Sequence, residues 1–328
     1  MQTVKEIQAL LDQADARPLR RLGQCFLIDL NQMRKLLEIA GLSPGCSDTV
    51  LEVGPGTGSL TEELQACSAK VVAVEIDRRL AGLLRARLIG ESGQPDASVA
   101  PPGESACQHP WRVDRSASEK IVLIEGDILA SKSIIAPPVL AELGHSARMV
   151  ANLPYSIATS LVAECMLESW RAVKTRRGVR FDSLTFTVQQ EVAQRFAATA
   201  GRQFGPVSVI LSLLGKVSLG PTIPASSFWP RPKIASQIVR IDFDAAAAEK
   251  LDDAATLQAL LSMTFTQRRK RISSTAKGRG APFAPEVFAN ALAAANIDPA
   301  SRADQISPKN YLTLANILAA TMSTSMGN

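Results

Sequence analysis

Apolar positions between about residues 30 and 245 follow two alternating rhythms. Short, nearly continuous runs at Thr49–Val53, Lys70–Glu75, Ile121–Glu125, Arg148–Ala151 and Ser183–Val188 read as strands buried on both faces. Between them, Asn31–Ala40, Ser59–Ala66, Arg78–Leu88, Ala158–Trp170 and Gln189–Ala198 carry apolar residues at helical spacing. This alternation predicts an α/β fold, doubly wound around a parallel core. Pro206–Leu214 reads as a further helix with proline in its first turn. Two late strand-like segments, Lys216–Gly220 and Ile234–Phe243, suit an antiparallel pair at the sheet edge. Residues 90–119 break the rhythm with Gly, Pro, Ser and charge, which predicts a surface insertion. From Ala245 onward the chain is Ala-rich and helical, ending in a helix at Pro308–Ala320. The predicted domains are therefore 1–244, α/β, and 245–328, small and all-α.

Composition places this pattern in a class. The chain has 328 residues, 46% hydrophobic and 20% charged, which suits a folded protein with a substantial core. Net charge is only +5, but it is unevenly spread. Residues 171–180 hold five basic residues and no acid, and residues 266–280 hold six and no acid. The remainder is acidic, so two basic patches point to a polyanionic partner. A solvated helix face is the plainer reading of either run alone. Five scattered cysteines contain no C-x-x-C, and only His109 and His145 are histidines. Neither a zinc site, a disulfide framework nor His-based catalysis is indicated, and no metal is expected. The opening MQTVKEIQALLDQADARPLRRLG lacks the apolar core of a secretory signal. No apolar run approaches the roughly 20 residues of a membrane span. A reducing cytoplasm is the expected setting.

The candidate chemistry collects at strand ends. VLEVGPGTGSL (50–60) reads as a strand, a glycine turn and a helix start. Gly54, Gly56 and Gly58 let the backbone turn tightly and let a ligand approach. Such loops serve dinucleotides and S-adenosylmethionine alike. The third dinucleotide glycine position holds Ser59. The next strand ends in Glu75, 21 residues after Gly54, where a carboxylate can accept both ribose hydroxyls of either cofactor. The third ends IVLIEGDIL and brings Asp127 to the same edge, suited to the exocyclic amine of a cofactor adenine. A helix N-cap is the plainer reading of Asp127.

The fourth strand ends in Asn152-Leu153-Pro154-Tyr155. An adenine N6 is a poor nucleophile because its lone pair is delocalised into the ring. A site can help by accepting both N–H bonds as attack begins. The Asn152 side-chain oxygen and the Leu153 carbonyl are two acceptors, and Pro154 stiffens the turn that carries them. Tyr155 can stack on the base, a contact worth roughly 1–3 kcal/mol. The four residues suit a pocket for a planar, amine-bearing ring and need neither metal nor tuned general base.

On these residues the chain resembles the KsgA family of small-subunit rRNA adenine N6,N6-dimethyltransferases. RRLGQCFLID (20–29), VLEVGPGTGSL, VVAVEID, IEGDIL, NLPYSIATSLV, FTVQQEVAQRFAA (186–198), IPASSFWPRPKIASQIVRI (223–241), FTQRRKRI (265–272) and RADQISPKNYLTLAN (302–316) follow in the family's order. The resemblance spans roughly residues 18–320. It implies a Rossmann-like S-adenosylmethionine-dependent methyltransferase sheet and a helical C-terminal rRNA-recognition domain. It implies dimethylation of the N6 of two adjacent adenines near the 3′ end of small-subunit rRNA, within an assembling small subunit. No membrane and no protein partner are implied. Cofactor contacts would be Cys25, Leu27, Gly54, Glu75, Asp127 and Asn152. Asn152, Leu153, Pro154 and Tyr155 would form the catalytic turn, and Phe228 would cover the other face of the target adenine. Cys25 departs from the polar residue usual in the family. The insertion is longer than the family's and the 171–180 run more basic, which suggests an extended rRNA face.

Three alternatives remain open on sequence. One is an adenine methyltransferase of large-subunit rRNA, of the macrolide-resistance type. The second is a non-catalytic ribosome-assembly or transcription factor on the same fold. The third is a dinucleotide-linked oxidoreductase, against which Ser59 and the Asn-Leu-Pro-Tyr turn both speak.

Overall fold

A computed structural model describes residues 2–19, 22–90, 111–131 and 134–325. Its main sheet has eight strands: β1 Thr49–Val53, β2 Lys70–Glu75, β3 Arg112–Arg115, β4 Ile121–Glu125, β5 Ser146–Asn152, β6 Arg180–Gln189, β7 Gly215–Ile223 and β8 Ser236–Phe243. Their order across the sheet is β7-β8-β6-β5-β1-β2-β4-β3. The pairs β6–β5, β5–β1, β1–β2 and β2–β4 are parallel, and β8 and β3 join antiparallel at the two sides. A parallel core covered by helices explains the run-on apolar strands: Val71, Val72, Val122, Ile124, Met149 and Leu184 are all buried. The Rossmann-like sheet thus has the order at which strand ends collect ligands, with the strand order, not the strand direction, reversing beside β1.

Helices α1 Val4–Gln13, α2 Leu30–Ala40, α3 Ser59–Cys67, α4 Arg78–Leu84, α5 Pro137–Leu143 and α6 Ala158–Thr175 belong to this unit. Local chemistry sets their ends. Thr3 and Glu6 form a capping box at the start of α1, and Asp29 accepts from the Asn31 and Gln32 amides to start α2. Gly41 ends α2 in the left-handed conformation, where a side chain would be strained.

Two segments differ from the sequence reading. Residues 91–110 of the anticipated insertion lie outside the described residues, but 111–115 are not surface loop. Trp111 is buried and Arg112–Arg115 is strand β3. The charges in RVDR concealed it. Asp114 is fully buried and takes ion pairs from Arg85 at 2.7 Å and Arg112 at 3.0 Å, so its polarity is satisfied inside. The amphipathic α1, which the alternation reading began too late to include, buries Ile7 and Leu11 with Ala16 and Leu80, and Phe26, Ile28 and Trp229 pack against that cluster.

The chain divides into two compact units, 1–193 with 218–242, and 194–217 with 243–328. The second begins its C-terminal part beside the boundary expected at 244, and it also takes in 194–217, which the sequence reading left in the first domain. Helix Pro206–Leu214 is buried on nearly every side and packs on helices Ala254–Thr266 and Pro308–Ser325. Phe265 stands between Phe204 and Tyr311 at centroid distances of 6.0 and 5.8 Å, and the Tyr311 hydroxyl donates to the Ala303 carbonyl. Among the described residues no helix is long and apolar enough to cross a membrane.

Candidate active site

One cleft at the C-terminal ends of β1, β2, β4 and β5 brings together ten of the predicted site residues: Cys25, Leu27, Gly54, Glu75, Asp127, Asn152, Leu153, Pro154, Tyr155 and the glycine-loop residue Gly56. Its empty space, mouth included, is about 1090 Å³.

The glycine turn needs its glycines at two places. Gly56 has φ +62°, and a Cβ there would stand 2.8 Å from Cε1 of Phe26. Gly54 has φ +71°, and a Cβ would stand 3.2 Å from Cγ of Pro154. The second distance means that the glycine loop and the Asn-Leu-Pro-Tyr turn form a single wall. Gln2 fastens the loop from outside: its amide donates to the Thr57 carbonyl at 3.1 Å and accepts from the Thr57 hydroxyl at 2.6 Å.

Carboxyl groups line one side of the cleft. The Glu75 oxygens accept from the amides of Gly56 at 3.0 Å and Asp77 at 2.9 Å. Burial nevertheless raises its pKa to about 7, outweighing those two donors. Asp127 Oδ1 accepts from the Leu129 amide at 2.9 Å, a turn-forming role close to the cap reading, while its carbonyl accepts from the Trp111 indole at 2.9 Å. Trp111 is therefore a wall of the fold beneath Gly126 rather than a free aromatic.

The sequence reading did not single out Glu52, although an acid inside the apolar run VLEV was a signal. Glu52 is 2% exposed, lines the cleft, and has its pKa raised to about 8 by burial. Its Oε2 and the Ser59 hydroxyl, both on the cleft lining, have no partner at hydrogen-bond distance among the described residues, although the Thr61 hydroxyl stands close enough to offset part of the rise in the Glu52 pKa. Orphaned buried acceptors facing a cleft fit a ligand that brings positive charge and donors, as S-adenosylmethionine does.

Neutral groups line the opposite side. The Asn152 side chain donates from Nδ2 to the Cys25 carbonyl at 2.7 Å, and its Oδ1 accepts from the Thr187 hydroxyl. Cys25 thus contributes its backbone here, and burial raises its thiol pKa. The Tyr155 hydroxyl bonds the Ser236 hydroxyl at 2.9 Å, which anchors the far end of the ring.

Phe228 is placed apart from the cleft lining. It was expected to present a ring face to the target base, but it is 2% exposed inside the cluster of Leu27, Met33 and Leu36, and it does not line the cleft. The cause is strand alternation: Phe228 pairs with Leu27 and Trp229 with Phe26, so successive residues face opposite ways. Trp229 turns to Phe26, stacked at 6.3 Å.

The basic runs also change. Within 171–180, Arg171 pairs with Glu164 at 2.6 Å and Glu168 at 2.5 Å, and Arg180 pairs with Asp182 at 2.6 Å. Arg176 and Arg177 stay exposed. In 266–280 Arg268 pairs with Asp304, whereas Arg269, Lys270, Arg271, Lys277 and Arg279 are exposed. A bridge between Arg271 and Arg302 adds a cation distant in sequence to that surface.

Comparison with known proteins agrees with this geometry. The family model described as ribosomal RNA adenine dimethylase matches residues 17–95 and 110–320. The ribosomal RNA small subunit methyltransferase A of Corynebacterium glutamicum is 32% identical over 316 residues, covering 95% of this chain and 94% of the relative. The protein of the same name from Mycobacterium leprae is 33% identical, over 94% of this chain and 89% of its own. Two solved structures share the fold. A dimethyladenosine transferase from Plasmodium falciparum gives a TM-score of 0.61 at 20% identity, covering 88% of this chain and 95% of that one. The 23S rRNA methyltransferase ErmE gives 0.52 at 23% identity, covering 90% and 99%.

Proposed function

The chain belongs to the ribosomal RNA adenine dimethylase family, and from that premise we propose how its cleft carries out the reaction and on which adenines. The protein is an S-adenosylmethionine-dependent rRNA adenine-N6,N6-dimethyltransferase that acts on the small subunit, as its relatives' names state for them. Its targets are two adjacent adenines near the 3′ end of that rRNA. They are presented within an assembling subunit in the cytoplasm. The ErmE-like fold alone would also suit a large-subunit target; the sequence relatives favour the small one.

Bound S-adenosylmethionine supplies the methyl group as an electrophilic carbon on sulfur. Glu75, already held by two backbone amides, would receive the ribose hydroxyls. The Asp127 carboxylate would receive the cofactor's adenine amine, and Cys25, Leu27 and Gly54, which also line the cleft, would complete that side. The target adenine leaves its stack to enter the cleft. Asn152 Oδ1 and the Leu153 carbonyl then accept from its N6 hydrogens, which favours a tetrahedral nitrogen as attack begins. Tyr155 stacks on the ring. Arg269, Lys270 and Arg271 hold rRNA phosphates from the C-terminal unit, and Arg176 and Arg177 do so from the first.

The observation that carries this reading is the packing of Pro154 on Gly54, because it joins the base-binding turn to the cofactor loop. Incubating the protein with labelled methyl donor and unmethylated small subunits, then mapping products, tests it. The expected result is N6,N6-dimethyladenosine at two neighbouring positions near the 3′ end. Label confined to large-subunit rRNA would overturn the target, and absence of transfer would overturn the activity.

A further inference from the structure

We propose that Thr187 is a positioning residue for methyl transfer, whose hydroxyl holds the Asn152 carboxamide in the one orientation that presents Oδ1 to the target amine. The inference rests on reading Asn152 as the acceptor in the catalytic turn. Asn152 ends β5, and Thr187 is its directly paired neighbour on the parallel strand β6, so both side chains leave the same face of the sheet. Thr187 is fully buried, so its hydroxyl has no water to turn to.

The two contacts on the carboxamide decide its orientation. Nδ2 donates to the Cys25 carbonyl, and the Thr187 hydroxyl donates to Oδ1. Rotating the amide by half a turn would aim its oxygen at the Cys25 carbonyl, acceptor against acceptor. It would also leave a buried donor unpaired. With valine at 187, only the Cys25 contact would remain to oppose that rotation. A carboxamide oxygen has two lone pairs, so accepting from Thr187 leaves one for the incoming N–H.

The pairing depends on a bulge. The register of β5 and β6 runs Ala147 with Phe181 and then Arg148 with Ser183, leaving Asp182 as the extra residue. Its carboxylate is held by the Ser146 hydroxyl at 2.8 Å and by Arg180 at 2.6 Å. Were Asp182 paired regularly with Arg148 instead of bulged, Phe186 would stand opposite Asn152 in place of Thr187.

The test compares Thr187→Val, which keeps the shape and removes the hydroxyl, with Thr187→Ser, which keeps the hydroxyl. Rates are measured on unmethylated small subunits, alone and combined with Asn152→Ala. Thr187→Val is expected to lower kcat about tenfold while KM for S-adenosylmethionine moves less than about threefold. Thr187→Ser is expected to recover at least about half of kcat. Adding Thr187→Val to Asn152→Ala should cost nothing further, because the hydroxyl acts only through Asn152. Wild-type kcat in Thr187→Val, failure of Thr187→Ser to recover, or losses that multiply in the double variant would each overturn the proposal. If Asn152→Ala alone keeps full activity, the catalytic turn and this inference fall together. If Asn152→Ala is inactive but Thr187→Val is not impaired, only this inference falls.

Discussion

The two sides of the cleft are built from different materials. On the side proposed for the cofactor, the carboxyl groups of Glu75 and Asp127 are gripped by backbone amides of Gly56, Asp77 and Leu129. On the side proposed for the target base, the amide of Asn152 and the phenol of Tyr155 are gripped by Thr187, Ser236 and the Cys25 carbonyl, at separations of 35, 81 and 127 residues. The Asp77 and Leu129 amides come with the turn that carries each carboxyl group, and only the Gly56 amide, 19 residues from Glu75, arrives from the neighbouring loop. Hydroxyls reach their partners only if distant strands keep their register. The cofactor side should therefore be broken by changing its own residues, and the target side also by changes far from it.

Four experiments sharpen this contrast. Asn152→Ala should be the most damaging change, lowering kcat about 10³-fold with a smaller effect on KM for S-adenosylmethionine, measured as initial rates on unmethylated subunits. Equal damage to both parameters would show that the two sides are not separable. Glu75→Ala should act mainly through binding, raising the Kd for S-adenosylmethionine about 10–100-fold in calorimetry. It also strips two loop amides of their acceptor, so the melting temperature should fall as well.

The third experiment is a pH series. Burial keeps Glu75 protonated up to about pH 7, well above the ordinary carboxyl value of 4.5. The folded chain then binds more protons than the unfolded one, so stability without ligand falls as pH rises between those values. Ionised Glu75 is the better acceptor for ribose, so affinity for S-adenosylmethionine should rise between about pH 6 and about pH 8. Glu75→Gln should flatten most of that rise, and Glu52, whose pKa is raised to about 8, accounts for what remains. The neutral target side has no such dependence, so a steep kcat profile over the same range would contradict the division. Ser236→Ala should have the smallest effect, about a two- to tenfold rise in KM for the subunit, since it removes one hydrogen bond worth about 0.5–1.5 kcal/mol. No change in KM would mean that packing alone holds Tyr155.

How much was legible beforehand follows the same line. The strands that end in Val53, Glu75 and Glu125 begin and end where their apolar runs do. Each carries its ligand-facing residue at the C-terminal end, so chain order sufficed to gather Gly54, Glu75, Asp127 and Asn152. Strand β3 was hidden because RVDR looks like loop until Arg85 appears beside Asp114. The burial of Phe228 was not legible, because a motif says which residue is present and not which way a two-residue strand turns it. The 171–180 run looked like five available cations until Glu164, Glu168 and Asp182 claimed two of them.

By itself, the sequence determined the α/β alternation, the glycine turn and the set of acceptors at the strand ends. Those depend on side-chain period and on residues adjacent in the chain. Tertiary structure alone decided the bulge at Asp182, and with it the partner of Asn152. It also decided which face of the Phe228–Trp229 strand is buried and which arginines remain exposed. Pairing between distant strands and ions is set by register and burial, and these are properties of the packed sheet rather than of any one stretch of chain.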